Sequence, residues 1–278
     1  MENRERRDRM VHLKKVLLHE TQETGYPFSV PALRREQIIA FERPVTVFIG
    51  ENGCGKSTLL DLIAAKTALY RITKEDKIRR ENDALFRSAA KTIGVEFHLL
   101  KPSGFYFSAE DFTSYIHSLA QEKELAKEEL ARVQREYGSR SDYARMMASA
   151  PFSRTLGEIE GMYQKDLLTA SHGESYLDFF ASRLRKDQLY LLDEPETPLS
   201  IQNQLTLIAM IDQAVADGCQ FILATHSPIL MGIPDADLWE FVEDRLEPTT
   251  FAQVESVNLL RQYLHDPTPF FHHLRNDE

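Results

Sequence analysis

The sequence is short of cysteine, of basic charge and of long apolar runs. Its two cysteines, Cys54 and Cys219 among 278 residues, exclude a disulfide-stapled scaffold and lack the paired spacing of a zinc site. Lys and Arg number 33 against 43 Asp and Glu, a net charge of −10, whereas a dedicated nucleic-acid module carries a basic excess. No run approaches the roughly 20 apolar residues that cross a bilayer. The opening MENRERRDRMVHLKKVLLHE lacks the sustained apolar segment of a secretory signal. A soluble, cytoplasmic protein without an integral membrane segment is the expectation. What is present is a 42% share of hydrophobic residues, enough to build the core of one large domain or two small ones.

Residues 1–10, with Arg4, Arg6, Arg7 and Arg9 among acids, read as a flexible tail. Leu13 to Leu18 reads as a first strand, and GYPFSVPAL at 25–33 as a loop. Val45-Thr46-Val47-Phe48-Ile49 is β-branched and apolar, and GENGCGKSTLLDLIAA then turns helical. The stretch 92–107 is strand-like, and 111–137 reads as a helix of strong formers. On that helix Ala126, Leu130, Val133 and Tyr137 make a narrow apolar stripe suited to packing within the domain. Glu128, Arg132 and Glu136 stand at i,i+4 on its wet side. GSRSD at 138–142 and SAPFS at 149–153 read as breaks between helices. Leu189 to Leu192 and Phe221 to Ala224 are short continuous apolar runs, as parallel strands covered on both faces require. The helical pattern between them ends at Gly218, a C-cap, and the last helix runs from about Val254 to Asp266-Pro267.

Three motifs carry chemistry. Gly50-Glu51-Asn52-Gly53-Cys54-Gly55-Lys56-Ser57 fits GxxxxGK[ST], preceded by a strand and followed by a helix. Gly50, Asn52, Gly53, Cys54, Gly55, Lys56, Ser57 and Thr58 are therefore the candidate nucleotide-binding residues. The glycines let backbone N–H groups approach phosphate oxygens at the positive end of a helix. Lys56 can reach the β- and γ-phosphates, and the Ser57 hydroxyl can ligate Mg²⁺. The second motif is Asp193-Glu194 at the end of a buried strand: Asp193 as a metal ligand, Glu194 as the base that orients the attacking water. The third is His226, in Ala224-Thr225-His226-Ser227-Pro228 at the end of the next strand, a candidate sensor of the γ-phosphate.

With DEPETPLS after the strand and ATHSP at the histidine, the chain resembles the ABC-type ATPases, the class of transporter motor domains and of SMC and RecF heads. Within that class it resembles a family of small stand-alone bacterial ATPases that carry SHGES in the signature position. The resemblance implies an α/β P-loop NTPase, an ABC-type ATPase head with a mostly parallel sheet. It implies one such domain over 11–278, with a helical lobe inserted at about 109–172. It also implies ATP and Mg²⁺ as cofactors, and an ATP-driven homodimer closing head-to-tail. Ser171, Gly173 and Glu174 would then meet the γ-phosphate held by the opposite subunit, with His172 in place of the signature's first glycine. Where the family has a Mg²⁺-holding glutamine, Ser108, Ala109 and Glu110 stand here, and Glu110 is the substitute. Tyr26 and Phe28 are candidates for stacking on adenine, packing being the alternative.

The dimer is expected to act as a soluble switch on nucleic acid or on an effector protein. Arg34-Arg35, Arg79-Arg80 and Arg183-Leu184-Arg185-Lys186 offer local basic contacts, or simply solvated surface. The rival is the nucleotide-binding motor subunit of an ABC transporter. A GTPase would need an NKxD base-reading motif, which is missing. His265, His272 and His273 make no metal-binding spacing.

Overall fold

The computed structural model of the chain describes residues 11–72, 77–161 and 172–271. Expectations for residues 1–10, Ser171, His272 and His273 lie outside them. The strands are β1 (Leu13–Leu18), β2 (Gln37–Ala40), β3 (Val45–Ile49), β4 (Tyr70–Arg71), β5 (Ile93–Phe97), β6 (Gly104–Ser108), β7 (Leu189–Asp193), β8 (Gln220–Ala224), β9 (Asp237–Val242) and β10 (Arg245–Thr249). The helices are α1 (Lys56–Thr67), α2 (Lys77–Ala89), α3 (Ala109–Glu136), α4 (Asp142–Gly161), α5 (His172–Arg183), α6 (Ile201–Ala216), α7 (Pro228–Met231) and α8 (Glu255–His265).

Seven strands form the main sheet in the order β10-β9-β3-β8-β7-β6-β4. All its neighbours run parallel except the β9–β10 hairpin. Every residue of β3, β7 and β8 is buried, the outcome expected of continuous apolar runs covered on both faces. Alternate side chains feed opposite cores. Val45, Val47 and Ile49 join Leu192, Leu223 and Leu207 on one side. Phe48 joins Leu59, Ile63, Ile222 and the second sheet's Leu13 and Val16 on the other.

That second sheet is antiparallel, in the order β2-β1-β5. Gln220, fully buried, ties it to the first. Its Oε1 accepts from the backbone N–H groups of His12 (2.9 Å) and Leu13 (2.8 Å), and its Nε2 donates to Leu13 O (3.0 Å). One side chain thus replaces a stretch of strand pairing and leaves no buried amide orphaned.

Between β6 and β7 the chain leaves the sheet for α3, α4 and α5. Ser108 caps α3, its hydroxyl accepting from Asp111 N at 3.5 Å. Ala126 and Val133 of the apolar stripe are buried, and on the wet face Arg132 reaches Glu129 at 2.8 Å and Glu136 at 3.8 Å. The break expected at 138–142 is present, but the one at 149–153 is not. Helix α4 runs through it with Pro151 inside. The proline removes one backbone donor, and the carbonyl it leaves free belongs to Met147, a residue 55% exposed, where water can satisfy it. Among the described residues no helix is long and apolar enough to cross a membrane, and no group of side chains is placed to hold a metal through histidine, cysteine and acids alone.

An aromatic cluster fixes the helices to the sheet. Phe107 of β6 stacks on Phe179 of α5 (centroids 5.3 Å apart, planes at 17°) and meets Phe112 of α3 edge-on at 5.7 Å. Tyr176 of α5 lies 4.9 Å from the same ring. Phe107 is fully buried, so Phe107→Ala removes the shared partner of two helices. We expect a loss of about 3–5 kcal/mol of stability, read as a lowered urea midpoint; a change below about 1 kcal/mol would contradict this role.

Candidate functional site

The loop between β3 and α1 is shaped by its glycines. Gly50, Gly53 and Gly55 have φ of 147°, 78° and 111°, which side-chain-bearing residues rarely adopt. A Cβ on Gly55 would also lie 2.4 Å from Val30 Cγ1, so the Pro-rich segment closes over the loop. Lys56 is buried, its Nζ donating to Gly50 O (3.0 Å) and Glu51 O (2.9 Å) and lying 3.7 Å from Cys54 Sγ. Thr58 is buried behind it and Asn52 is exposed. The first N–H groups of α1 have no partner within the helix and face the loop, the arrangement that receives phosphate.

Ser57, at the second position of α1, donates from Oγ to Asp193 Oδ1 at 2.9 Å. The other carboxylate oxygen accepts from the Tyr106 hydroxyl at 3.3 Å. Asp193 is 8% exposed, and burial pushes its carboxyl up to about 7 against the pull of those two donors. A hydroxyl beside a carboxylate is an all-oxygen donor pair suited to Mg²⁺, and a cation there would reverse the cost of burying the acid. On this chemistry the residues fit the metal.

Glu194 follows with φ 46°, a left-handed conformation at a non-glycine residue. Its N–H donates to Ala224 O at 2.9 Å, and its half-exposed carboxylate stands 3.7 Å from His226 Nε2. Burial, then the positive charge of Lys56, hold the imidazole pKa below its ordinary 6.5. The contact at neutral pH is therefore polar rather than an ion pair. The histidine's backbone N–H donates to Glu196 Oε1 at 2.7 Å.

Ser57, Asp193, Glu194 and Glu110 share one cleft of about 570 Å³, with Tyr26, Asp61 and Arg71 among its other walls. Glu110 is exposed in the first turn of α3. Of the two aromatics, Phe28 is 2% exposed in the core, so its face is closed to a base, whereas Tyr26 lines the cleft. Gly173 and Glu174, in the first turn of α5, do not line this cleft. A Cβ on Gly173 would lie 2.6 Å from Asn203 Nδ2 and 3.0 Å from Pro198 O, so the start of α5 is pressed against the turn after Asp193-Glu194. Several basic residues are already engaged. Arg35 pairs with Asp244 and Lys186 with Asp217, and Arg183 lies over the Phe179 ring.

Sequence reasoning missed Glu196, Arg71, Asp61 and Tyr106. Glu196 lies inside the quoted DEPETPLS, two residues past the base, and that proximity was its one available signal. The others carry no motif.

A family model described as an AAA domain matches residues 27–141. The chain is 22% identical over 211 residues to the energy-coupling factor transporter ATP-binding protein EcfA2 of Streptococcus pyogenes serotype M5 (strain Manfredo), covering 74% of this chain and 69% of that one. The same-named protein of serotype M3 (strain SSI-1) matches equally. Among solved structures, an inward-facing metal-chelate type ABC transporter aligns at 16% identity and a TM-score of 0.45, over 87% of this chain and 85% of that one. The Smc head domain of Pyrococcus furiosus, bound to the C-terminal domain of ScpA, aligns at 13% and 0.45, over 90% and 99%. The fold is α/β with a mostly parallel sheet and a glycine loop between strand and helix, that of a P-loop NTPase.

Burial and the Lys56 charge both lower the histidine's pKa, and an imidazole proton titration by NMR separates them. The His226 midpoint is expected below 6.5, so the side chain stays neutral from pH 8 to 7 and gains its proton only on further acidification. In Lys56→Ala the midpoint should rise part of the way back, because burial remains. A midpoint unmoved by that substitution would remove Lys56 as a cause.

Proposed function

We propose that this chain is an ABC-type ATPase head that binds and hydrolyses ATP with Mg²⁺, and that two copies close head-to-tail around two nucleotides. The observation that carries the reading is the Ser57 Oγ to Asp193 Oδ1 contact of 2.9 Å. It joins the glycine-loop helix to the acidic strand end beside Glu194 and His226.

On this reading Lys56 exchanges the loop carbonyls it now holds for β- and γ-phosphate oxygens, and the N–H groups of Gly53 to Ser57 cradle the same phosphates. Ser57 and Asp193 would hold Mg²⁺, which when bound neutralises charge on the β- and γ-oxygens. Glu194 orients a water for attack in line with the leaving oxygen and accepts its proton. A neutral His226 donates an N–H to the γ-phosphate and is held in place by Glu196 through its backbone. Ser171, Gly173 and Glu174 serve the partner copy's nucleotide. Gly173 and Glu174 stand in the first turn of α5 and do not line their own cleft, which supports this. Since such contacts form only with nucleotide present, ATP favours the closed dimer through its differential affinity.

The dimer's output is a switch on a partner macromolecule. The net charge of −10 and the intramolecular pairing of Arg35 and Lys186 favour an effector protein over nucleic acid. A second reading, the nucleotide-binding subunit of a transporter, draws support from the likeness to EcfA2; co-purification with a membrane protein would favour it.

Size-exclusion chromatography with light scattering on Glu194→Gln tests the core of the proposal. Turnover should fall by about 10²–10⁴, and the protein should pass from monomer to dimer only with Mg·ATP. Lys56→Ala should lose both ATP binding and the shift. A Glu194→Gln variant that turns over normally as a monomer overturns the reading.

A further inference from the structure

Arg71 has no part in the steps above, yet it joins three of the elements around the site. It stands on β4, the two-residue strand at the edge of the main sheet. Its guanidinium pairs with Asp61 of α1 and, through Nε at 2.8 Å, with Asp111 in the first turn of α3. It also lies over the Tyr106 ring, 4.2 Å from the centroid. The three charged side chains are only 18, 14 and 10% exposed, and Tyr106 is fully buried. The Tyr106 hydroxyl ends the series on Asp193 Oδ2, whose other oxygen meets Ser57. An unbroken run of contacts, Asp111–Arg71–Tyr106–Asp193–Ser57, therefore leads from the base of the helical lobe to the metal-side pair.

We propose that Arg71 and Tyr106 are positioning residues that transmit the placement of the helical lobe to the Asp193 carboxylate, and so set how well the site holds Mg²⁺. This rests on the reading of Asp193 as a metal ligand.

Each link has a physical basis. A buried guanidinium between two carboxylates cannot be left behind when one of them moves, because an unpaired buried charge is strongly unfavourable. A shift of α3 at Asp111 therefore carries Arg71 with it. The guanidinium is attracted to the face of the Tyr106 ring, so the ring follows the cation. The Tyr106 hydroxyl lies 3.3 Å from Asp193 Oδ2, and against a carboxylate oxygen a phenol is the donor. That hydrogen bond fixes which way the Asp193 carboxylate faces, as a group behind a metal ligand does.

The test separates positioning from mere support. In the Glu194→Gln background, which needs no turnover, ATP affinity is measured by calorimetry at a series of clamped free Mg²⁺ concentrations and in EDTA. Tyr106→Phe keeps the ring beneath Arg71 and removes only the hydroxyl. It should leave affinity in EDTA within about twofold while raising the Mg²⁺ midpoint about tenfold. Asp111→Asn, at a carboxylate that pairs with Arg71, should move the midpoint the same way. The double variant should shift no further than the larger single one, as coupled residues do. Arg132→Gln, an exposed change in the same lobe, should leave the midpoint unmoved. If Asp111→Asn fails to fold, Tyr106→Phe alone still decides. A Tyr106→Phe curve that overlays its background or moves to lower Mg²⁺, or shifts that add in the double variant, overturns the relay. A background protein that binds no ATP fails at the earlier step and overturns the ATPase reading with it.

Discussion

Everything in the cleft depends on β8 lying between β3 and β7. Its pairing is parallel on both sides, with Thr46 opposite Ile222 and Ile222 opposite Leu191, so all three strands end at the same edge. Hydrogen bonding continues one residue past the strands. Thr225 N–H donates to Phe48 O at 3.1 Å and Glu194 N–H to Ala224 O at 2.9 Å. The glycine loop, the acidic pair and the histidine are therefore set by backbone bonds in a core with no freedom to slide, since all fifteen residues of these strands are buried. A shift of one residue would turn every side chain to the opposite face.

This rigidity explains why much of the site was legible from residues alone. The glycine spacing around Lys56, the apolar run before Asp193-Glu194 and the run before His226 each encode a strand end plus a polar group. The order of strands then does the rest. What could not be read depends on that order. Tyr106 looks like one more core aromatic in GFYFS, and only β6 lying beside β7 aims its hydroxyl at Asp193. Arg71 sits in a two-residue strand with no periodic signal, and its partners Asp61 and Asp111 are 10 and 40 positions away. Pro151 argued for a helix break, and the packing of α4 along α3 outweighed one lost hydrogen bond. The exclusion of Phe28 as a face for a base is likewise a matter of burial, invisible in YPFSVPAL.

The charges around the cleft are unevenly compensated, and the unevenness has a direction. Asp61 and Asp111 share the Arg71 guanidinium, which neighbouring Tyr106, Asp61 and Asp111 hold in its charged form despite burial. Even so, burial keeps Asp61 up at about 6. Asp193 receives only two neutral hydroxyl donors and stands at about 7. Of these three acids, the one without a cation partner among the described residues is thus Asp193, at the strand end beside Ser57. The Ser57 hydroxyl can serve in two ways, donating its proton to Asp193 or offering its lone pairs to a metal. While it donates, it keeps the two ligands 2.9 Å apart without any ion between them. A cation arriving there finds both oxygens assembled, and the arrangement costs little reorganisation, because one hydroxyl rotation exchanges the internal hydrogen bond for a ligand bond.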